Sequence, residues 1–393
     1  MKKTLIATAV AMGITAVSFP AYAAGDNDIT TTANEEEEDT GLSLTVIPRL
    51  DGSAQTWKNI EKPFGSYSLG NTMLYTILDG NVTDNLSVYA CFHLLDKETG
   101  WLYHNTFHSD ECSWLDMFSL TYSLGNFDLS LGKENIAFGG FEQDDDICTP
   151  HLDLCSNSWH TIQSFQWGGR LGYNFEDHGN PQNVFFQIVS SPTSEMPFQD
   201  KLFCTTIGWN GNVGNDETMW SLGVMRTGEE DASMKNLWML TLGDRYTCGN
   251  FSWTWDLSFR SFAFSEIFRQ ECTNIMELRY CFPALDIFAR GGCESTGKRR
   301  YNYFGDTSLD AAESGWNIYG TIVPNLINSG RDYWFGGLGV EYYPIADRSL
   351  RLHLVGAINN YGNDNLLQAG TKGSYAASVT AGLTYYFTVG LLK

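Results

Sequence analysis

Between Phe251 and Arg260 the sequence alternates with a strict period of two. Phe251, Trp253, Trp255, Leu257 and Phe259 share one parity, and Ser252, Thr254, Asp256, Ser258 and Arg260 share the other. An extended chain places such sets on opposite faces. One face therefore meets an apolar medium and the other a polar one. A charge facing lipid at mid-depth costs about 2–4 kcal/mol, so Asp256 and Arg260 must face water or each other. The aromatic face suits lipid, but it also suits the inner side of a soluble sandwich. The rest of the chain must choose between them.

The chain opens with Lys2 and Lys3, an apolar run from Leu5 to Val17, and Ala21 and Ala23 around a tyrosine. This pattern predicts a secretory signal peptide over 1–23. Without its two lysines the formal charge of -22 becomes -24. So acidic a chain argues against a nucleic-acid partner. Beyond residue 23 no apolar run reaches the length of a spanning helix. Aromatic residues make up 14% of the chain, charged residues only 18%, and there are 39 glycines, a composition that suits strands and turns better than a soluble periplasmic enzyme.

The nine cysteines show no C-x-x-C spacing and no zinc pattern, so neither a metal nor a redox cofactor is expected. Cys91, Cys204 and Cys281 fall inside strand patterns, as small apolar side chains do. Two pairs are candidate disulfides: Cys148 with Cys155 in one loop, and Cys272 with Cys293 across a hairpin turning near Pro283.

Residues 24–41, with Asp26, Asp28 and the run Glu35–Asp39, have little to bury and are expected to form a disordered acidic tail. From 42 to 393 the chain reads as a train of strands, near 42–51, 68–79, 86–94, 113–122, 127–137, 161–175, 184–190, 201–209, 217–227, 235–246, 250–263, 272–281, 285–292, 332–343, 349–359 and 374–390. That makes sixteen. Tight connections rich in Gly, Asn, Asp or Pro, such as 80–85, 123–126, 247–250, 282–284 and 344–348, alternate with longer ones, the widest at 95–112, 138–160 and 293–331. Short turns at one end and long loops at the other predict an all-β, antiparallel up-and-down transmembrane barrel in a bacterial outer membrane. An even strand count keeps both termini periplasmic, which assigns Trp316–Ile322 to a loop. The last strand, with Val379, Leu383 and Phe387 outward and Thr380, Thr384 and Tyr386 inward, is expected to close on the first. Two segments fit poorly. Asp116 shares the parity of Phe118 and Leu120, which implies a bulge or an early rim, and 68–79 has no clear face.

Counted from each apolar face, Arg170, Arg245, Arg260, Arg279, Arg290 and Arg351 fall inward, as do Asp256, Glu277 and Asp286. Both signs on one wall suit a water-filled lumen and equally suit cross-strand pairing that stabilises the wall. The loop after the fifth strand carries Glu142, Asp144, Asp145, Asp146 and Asp153. It reads as a constriction folded into the bore, a solvated acidic loop or an opportunistic calcium site. No catalytic motif stands out, and Gly336, Gly337 and Gly339 lie within a strand rather than before a helix.

The run Leu131, Gly132, Lys133, Glu134, Asn135, Ile136, Ala137, Phe138, Gly139 and Glu142, and the segment Gly339–Pro344 followed by Leu350, Arg351, Leu352 and His353, resemble the phosphate-selective porin O and P family. The resemblance implies a sixteen-stranded diffusion channel that assembles as a trimer. Lys133 and Ala137 stand where that family shows Arg and Pro, and the dense basic ladder of a phosphate path is missing. The expectation is therefore a passive, non-enzymatic porin for small hydrophilic solutes or ions, seated in outer-membrane lipid. The alternatives are a surface adhesion protein acting through its long loops, notably 293–331 with Lys298, Arg299 and Arg300, and an outer-membrane lipid hydrolase.

Overall fold

The computed structural model describes residues 41–58, 65–68, 72–95, 114–143, 148–150, 154–156, 165–194, 196–228, 235–296, 333–360 and 375–391. The signal peptide, nearly all of the acidic tail, the segment Trp316–Ile322 and the acids Asp144, Asp145, Asp146 and Asp153 lie outside them. The extended segments are β1 (Leu42–Lys58), β2 (Gly65–Ser68), β3 (Met73–Thr83), β4 (Leu86–Leu95), β5 (Leu115–Leu124), β6 (Phe127–Asn135), β7 (Phe165–Asp177), β8 (Asn180–Ser190) and β9 (Phe203–Val213). They continue as β10 (Asp216–Arg226), β11 (Asn236–Cys248), β12 (Phe251–Ser261), β13 (Glu271–Cys281), β14 (Leu285–Thr296), β15 (Tyr333–Tyr342), β16 (Leu350–Asn360), β17 (Tyr375–Tyr385) and β18 (Phe387–Gly390).

β2 and β3 both pair with β1 and are two parts of one strand. β17 and β18 meet β1 in a single register, with Arg49 opposite Thr384 and Ser43 opposite Gly390. The result is a closed antiparallel barrel of sixteen strands. Closure leaves no edge, the condition for a sheet surrounded by lipid.

The alternation read from Phe251–Arg260 persists in the barrel, since Phe251 and Trp253 are exposed outward while Asp256 and Arg260 are buried inside. Leu278, Leu338, Leu354 and Val379 extend the same apolar belt around the wall. Among the described residues, three polar side chains on outward positions have a tryptophan indole as partner. The Trp209 Nε1–H donates to Gln182 Oε1 at 2.8 Å, Trp220 Nε1–H to Asp244 Oδ1 at 3.3 Å, and Trp255 Nε1–H to Asn274 Oδ1 at 2.8 Å. A polar group facing hydrocarbon needs such a partner.

Both poorly fitting segments have physical explanations. Cys91 faces Met117 and Phe92 faces Leu115, so Asp116 is an extra residue on β5. This bulge turns Asp116 inward, 3.6 Å from His93. The segment 68–79 lacks a clear face because Met73 and Tyr75, though inward, are apolar and buried in an internal cluster.

The disulfide expectations need correction, because Cys272 lies opposite Ser295 and Cys293 opposite Asn274. The two residues are diagonal neighbours on the outer face and unbonded; diagonal positions of paired strands are typically about 7–8 Å apart, beyond the usual backbone spacing of a disulfide. Cys148 and Cys155 are likewise not joined. Cys148 packs beside Ile47 and Met117, whereas Leu154, next to Cys155, fills a different cluster.

Replacing Trp255 with Phe should leave the Asn274 carbonyl without its donor and cost about 1–3 kcal/mol. Adding Asn274→Leu should recover most of that loss in urea unfolding from lipid vesicles.

Candidate functional site

Among the described residues three apolar sockets interrupt the polar inner wall, and the long loop between β6 and β7 has a residue in each. Phe138 packs with Val189, Cys204, Met225, Leu237 and Met239 on β8–β11. Cys148 packs with Ile47, Met73, Tyr75 and Met117 on β1, β3 and β5. Leu154 packs with Ile275, Phe288, Phe335 and Val355 on β13–β16. Burying a Phe or Leu side chain fully is worth about 1.5–3 kcal/mol. A loop with feet on three separated sectors of the wall must cross the bore.

Hydrogen bonds fix the crossing at both ends. Near the start, the backbone N–H groups of Phe141 and Glu142 donate to the two carboxylate oxygens of Asp256 at 2.9 and 2.7 Å. Gly140 can approach so closely only because it lacks a side chain, since a Cβ there would stand 2.1 Å from Asp256 Oδ1. The Thr241 hydroxyl donates to the Phe138 carbonyl at 2.5 Å, and Gln187 Oε1 accepts from Ala137 N–H at 2.9 Å. On the far side Arg49 Nη1 donates to the Thr149 carbonyl at 2.9 Å, and Arg351 donates to the Cys148 carbonyl. Glu142 accepts from the Ser156 N–H and hydroxyl at 2.6 and 2.7 Å and stands 3.8 Å from Arg290.

No protein-family model matches the chain, and no curated protein does. Solved structures do. The outer-membrane expressed OmpT of Vibrio cholerae superposes with a TM-score of 0.50 at 11% identity, covering 90% of this chain and 100% of that one. The outer membrane channel DcaP of Acinetobacter baumannii gives a TM-score of 0.47 at 12% identity, covering 90% and 100%. The fold is that of an outer-membrane β-barrel.

Inside this barrel Arg170, Arg245, Arg260, Arg279, Arg290, Arg351, Asp256, Glu277 and Asp286 all occupy the inner face, mostly in ion pairs. Arg260 meets Glu271 at 2.8 Å and Arg245 meets Glu217 at 3.3 Å. Arg279 bridges Glu277 at 2.9 Å and Glu341 at 2.7 Å, with Asp286 at 3.8 Å. Arg290 and Arg351 stand 3.3 Å from Glu277 and 3.6 Å from Glu341. Arg170 differs, since its guanidinium lies over the Phe185 ring and donates to Asn183 at 3.0 Å.

Sequence reasoning overlooked Arg49, Asp51, Glu271, Glu341 and His353. Arg49 and Asp51 form a buried ion pair at 2.5 Å, and His353 lies 3.2 Å from Asp51. A parity signal was present, because Leu50 is outward between Arg49 and Asp51, and Val340 and Tyr342 are outward on either side of Glu341. Leu154 gave no signal, because its place depends on the loop's path.

Exposure separates the arginines. The side chains of Arg245 and Arg279 are 23% and 21% exposed, whereas those of Arg290 and Arg351 are 4% and Arg260 is 6%. Arg245 also lies over the Phe141 ring at 4.1 Å, at the loop's edge. Only the first two are well placed to meet a solute.

Two expectations concern the loop. Charge-assisted hydrogen bonds contribute about 1.5–3 kcal/mol, so Asp256→Ala should speed amide exchange at Phe141 and Glu142 by roughly ten- to a hundredfold in hydrogen-exchange mass spectrometry. Glu142, in the loop rather than the spanning strands, has its pKa raised to about 7, chiefly by burial and despite Arg290 and Ser156. A group raised in the docked state stabilises docking fully below its ordinary value near 4.5 and loses that contribution as pH rises through about 7. Protection of the Ser156 amide should therefore fall between pH 5 and 8, and Glu142→Gln should flatten the profile.

Proposed function

We propose that this barrel is a passive diffusion channel of the outer membrane for small hydrophilic solutes and ions, with weak charge selectivity leaning towards cations. The observation that carries this reading is the loop held across the bore beside Arg245, in a lumen where the partly exposed Arg245 and Arg279 are each in contact with an acid. Such a constriction limits solute size and presents both signs of charge at close range. No covalent step is needed.

Neutralisation of most lumen arginines by Glu217, Glu271, Glu277, Glu341 and Asp51 argues against a phosphate path, which needs cations free to bind an oxyanion. The phosphate-selective resemblance is thus retained for architecture and left aside for substrate. Assembly as a homotrimer belongs to the same proposal, and native mass spectrometry in mild detergent would count the protomers. The adhesion alternative rests on the long loops, notably 293–331, of which 297–331 lie outside the described residues, and no observation favours the lipid hydrolase.

Single-channel recording in planar bilayers tests the reading. A water-filled pore should give defined conductance steps and a small reversal potential in a salt gradient. Removing one exposed positive charge by Arg245→Gln or Arg279→Gln should raise cation over anion permeability by roughly two- to threefold, the Boltzmann factor of a unit charge acting across several ångströms of water. Arg260→Gln should change selectivity far less, since its charge is buried against Glu271. Replacing Asp144, Asp145 and Asp146 with Asn should move the potential towards anions if these acids reach the bore. Absence of conductance would refute the channel, and strong anion preference with block by phosphate would restore a phosphate-selective role.

A further inference from the structure

Between the first turn of the loop and the inner face of β8–β10 lies a cavity of about 20 Å³, whose lining includes Asn135, Ala137, Phe185, Asn210, Met219 and Ser221. Its frame is fixed. Gln187 accepts from the Ala137 N–H at 2.9 Å and donates to the Asn135 carbonyl at 2.7 Å, which pins the backbone where the loop leaves β6. Gln143 folds back on the loop itself, accepting from the Gly139 N–H and donating to the Ile136 carbonyl. The Phe185 ring sits against Gly208, where a Cβ would stand 2.2 Å from it, and the Arg170 guanidinium covers it at 3.8 Å.

Within this bonded frame three oxygens are exceptions. Asn135 Oδ1, Asn210 Oδ1 and Ser221 Oγ are buried and have no hydrogen-bond partner in the protein, and Asn135 and Ser221 are each only 6% exposed. A buried acceptor left unmatched is costly. Three of them around one cavity therefore mark a place for a group that supplies hydrogen. No charged residue lines the cavity, so a bare cation would lack a counter-charge and an anion would meet acceptors. The volume admits one water-sized group. An uncharged O–H meets each of these conditions.

The strands behind the cavity pair without a break from β6 to β10. The cavity is partly open, and with a sealed wall behind it that opening leads to the bore. Water can satisfy the three oxygens, but it gains nothing from Ala137, Phe185 and Met219. A hydroxymethyl group places its hydroxyl on the oxygens and its carbon on these apolar side chains, and it releases the water.

We propose that this cavity is a subsite for a hydroxyl group of a neutral, polyhydroxylated solute, with Asn135, Asn210 and Ser221 as acceptors. Its role in permeation rests on the channel reading, whereas binding is measurable without conductance.

The test is saturation-transfer NMR on the full-length protein in deuterated detergent. The probes are erythritol and glycine betaine, the second of similar size and without an O–H or N–H donor. Wild type should bind erythritol the more tightly. N210L/S221A removes two acceptors at nearly constant volume and should raise the apparent Kd for erythritol roughly three- to tenfold, the weight of one or two neutral hydrogen bonds, while leaving betaine unchanged. The variant must first show the wild-type heat-dependent gel shift. If it fails to fold, Ser221→Ala alone serves, with a loss of about twofold expected. Equal binding of the two solutes by wild type, or undiminished erythritol binding by the folded variant, would overturn the subsite and leave the oxygens to water alone. Conductance is recorded separately, so a non-conducting protein that binds erythritol through these residues would refute the channel and keep the site.

Discussion

Every backbone N–H and C=O that enters hydrocarbon must find its partner within the protein, and in this chain that requirement is met by the double pairing of β1. Its first edge bonds β2 and β3, its second bonds β17 and β18, and the sheet has no unpaired margin left. Closure fixes everything that follows. A barrel of sixteen strands encloses more space than its own inward side chains fill, so the interior needs either water or an inserted segment. Here the long loop between β6 and β7 is inserted.

The insertion succeeds because the inner wall is not uniformly polar. Three apolar patches on separate sectors receive Phe138, Cys148 and Leu154, and between them Asp256, Arg49 and Arg351 bond the loop's backbone. Apolar contacts supply most of the holding energy, while the carboxylate and guanidinium groups set direction and satisfy peptide groups that burial would otherwise strand. The outer wall follows the converse rule. There polar Gln182, Asp244 and Asn274 are tolerated because neighbouring tryptophans donate to them.

Charge inside the lumen is organised chiefly as pairs. Arg279 joins β13 to β15 through Glu341, and Glu341 in turn meets Arg351 on β16 and the Tyr343 hydroxyl at 2.6 Å. Charges bound in this way stiffen the wall and contribute little net field to a passing ion. The exposed Arg245 and Arg279 retain contact with the bore. Pairing and exposure, rather than the number of arginines, therefore govern what the lumen offers to a solute.

The period-two pattern determined a great deal by itself, because in an extended chain parity alone assigns a side chain to one face or the other. From it came the strand order, the closure of the last strand on the first, the inward set from Arg170 to Arg351, and the irregularity at Asp116, which the register resolved as a bulge. Parity fails where both faces are apolar, as at Met73 and Tyr75, because the medium on the inner side is then another part of the protein. It also cannot fix register closely, which is why Cys272 and Cys293, read as a candidate pair across the hairpin, prove to be diagonal rather than facing. Contacts across the bore were decided only in three dimensions. Asp256 meets a loop 114 and 115 residues earlier in the chain, and Arg351 one 203 residues away. No local periodicity carries such a distance; barrel curvature and the path of one loop set it.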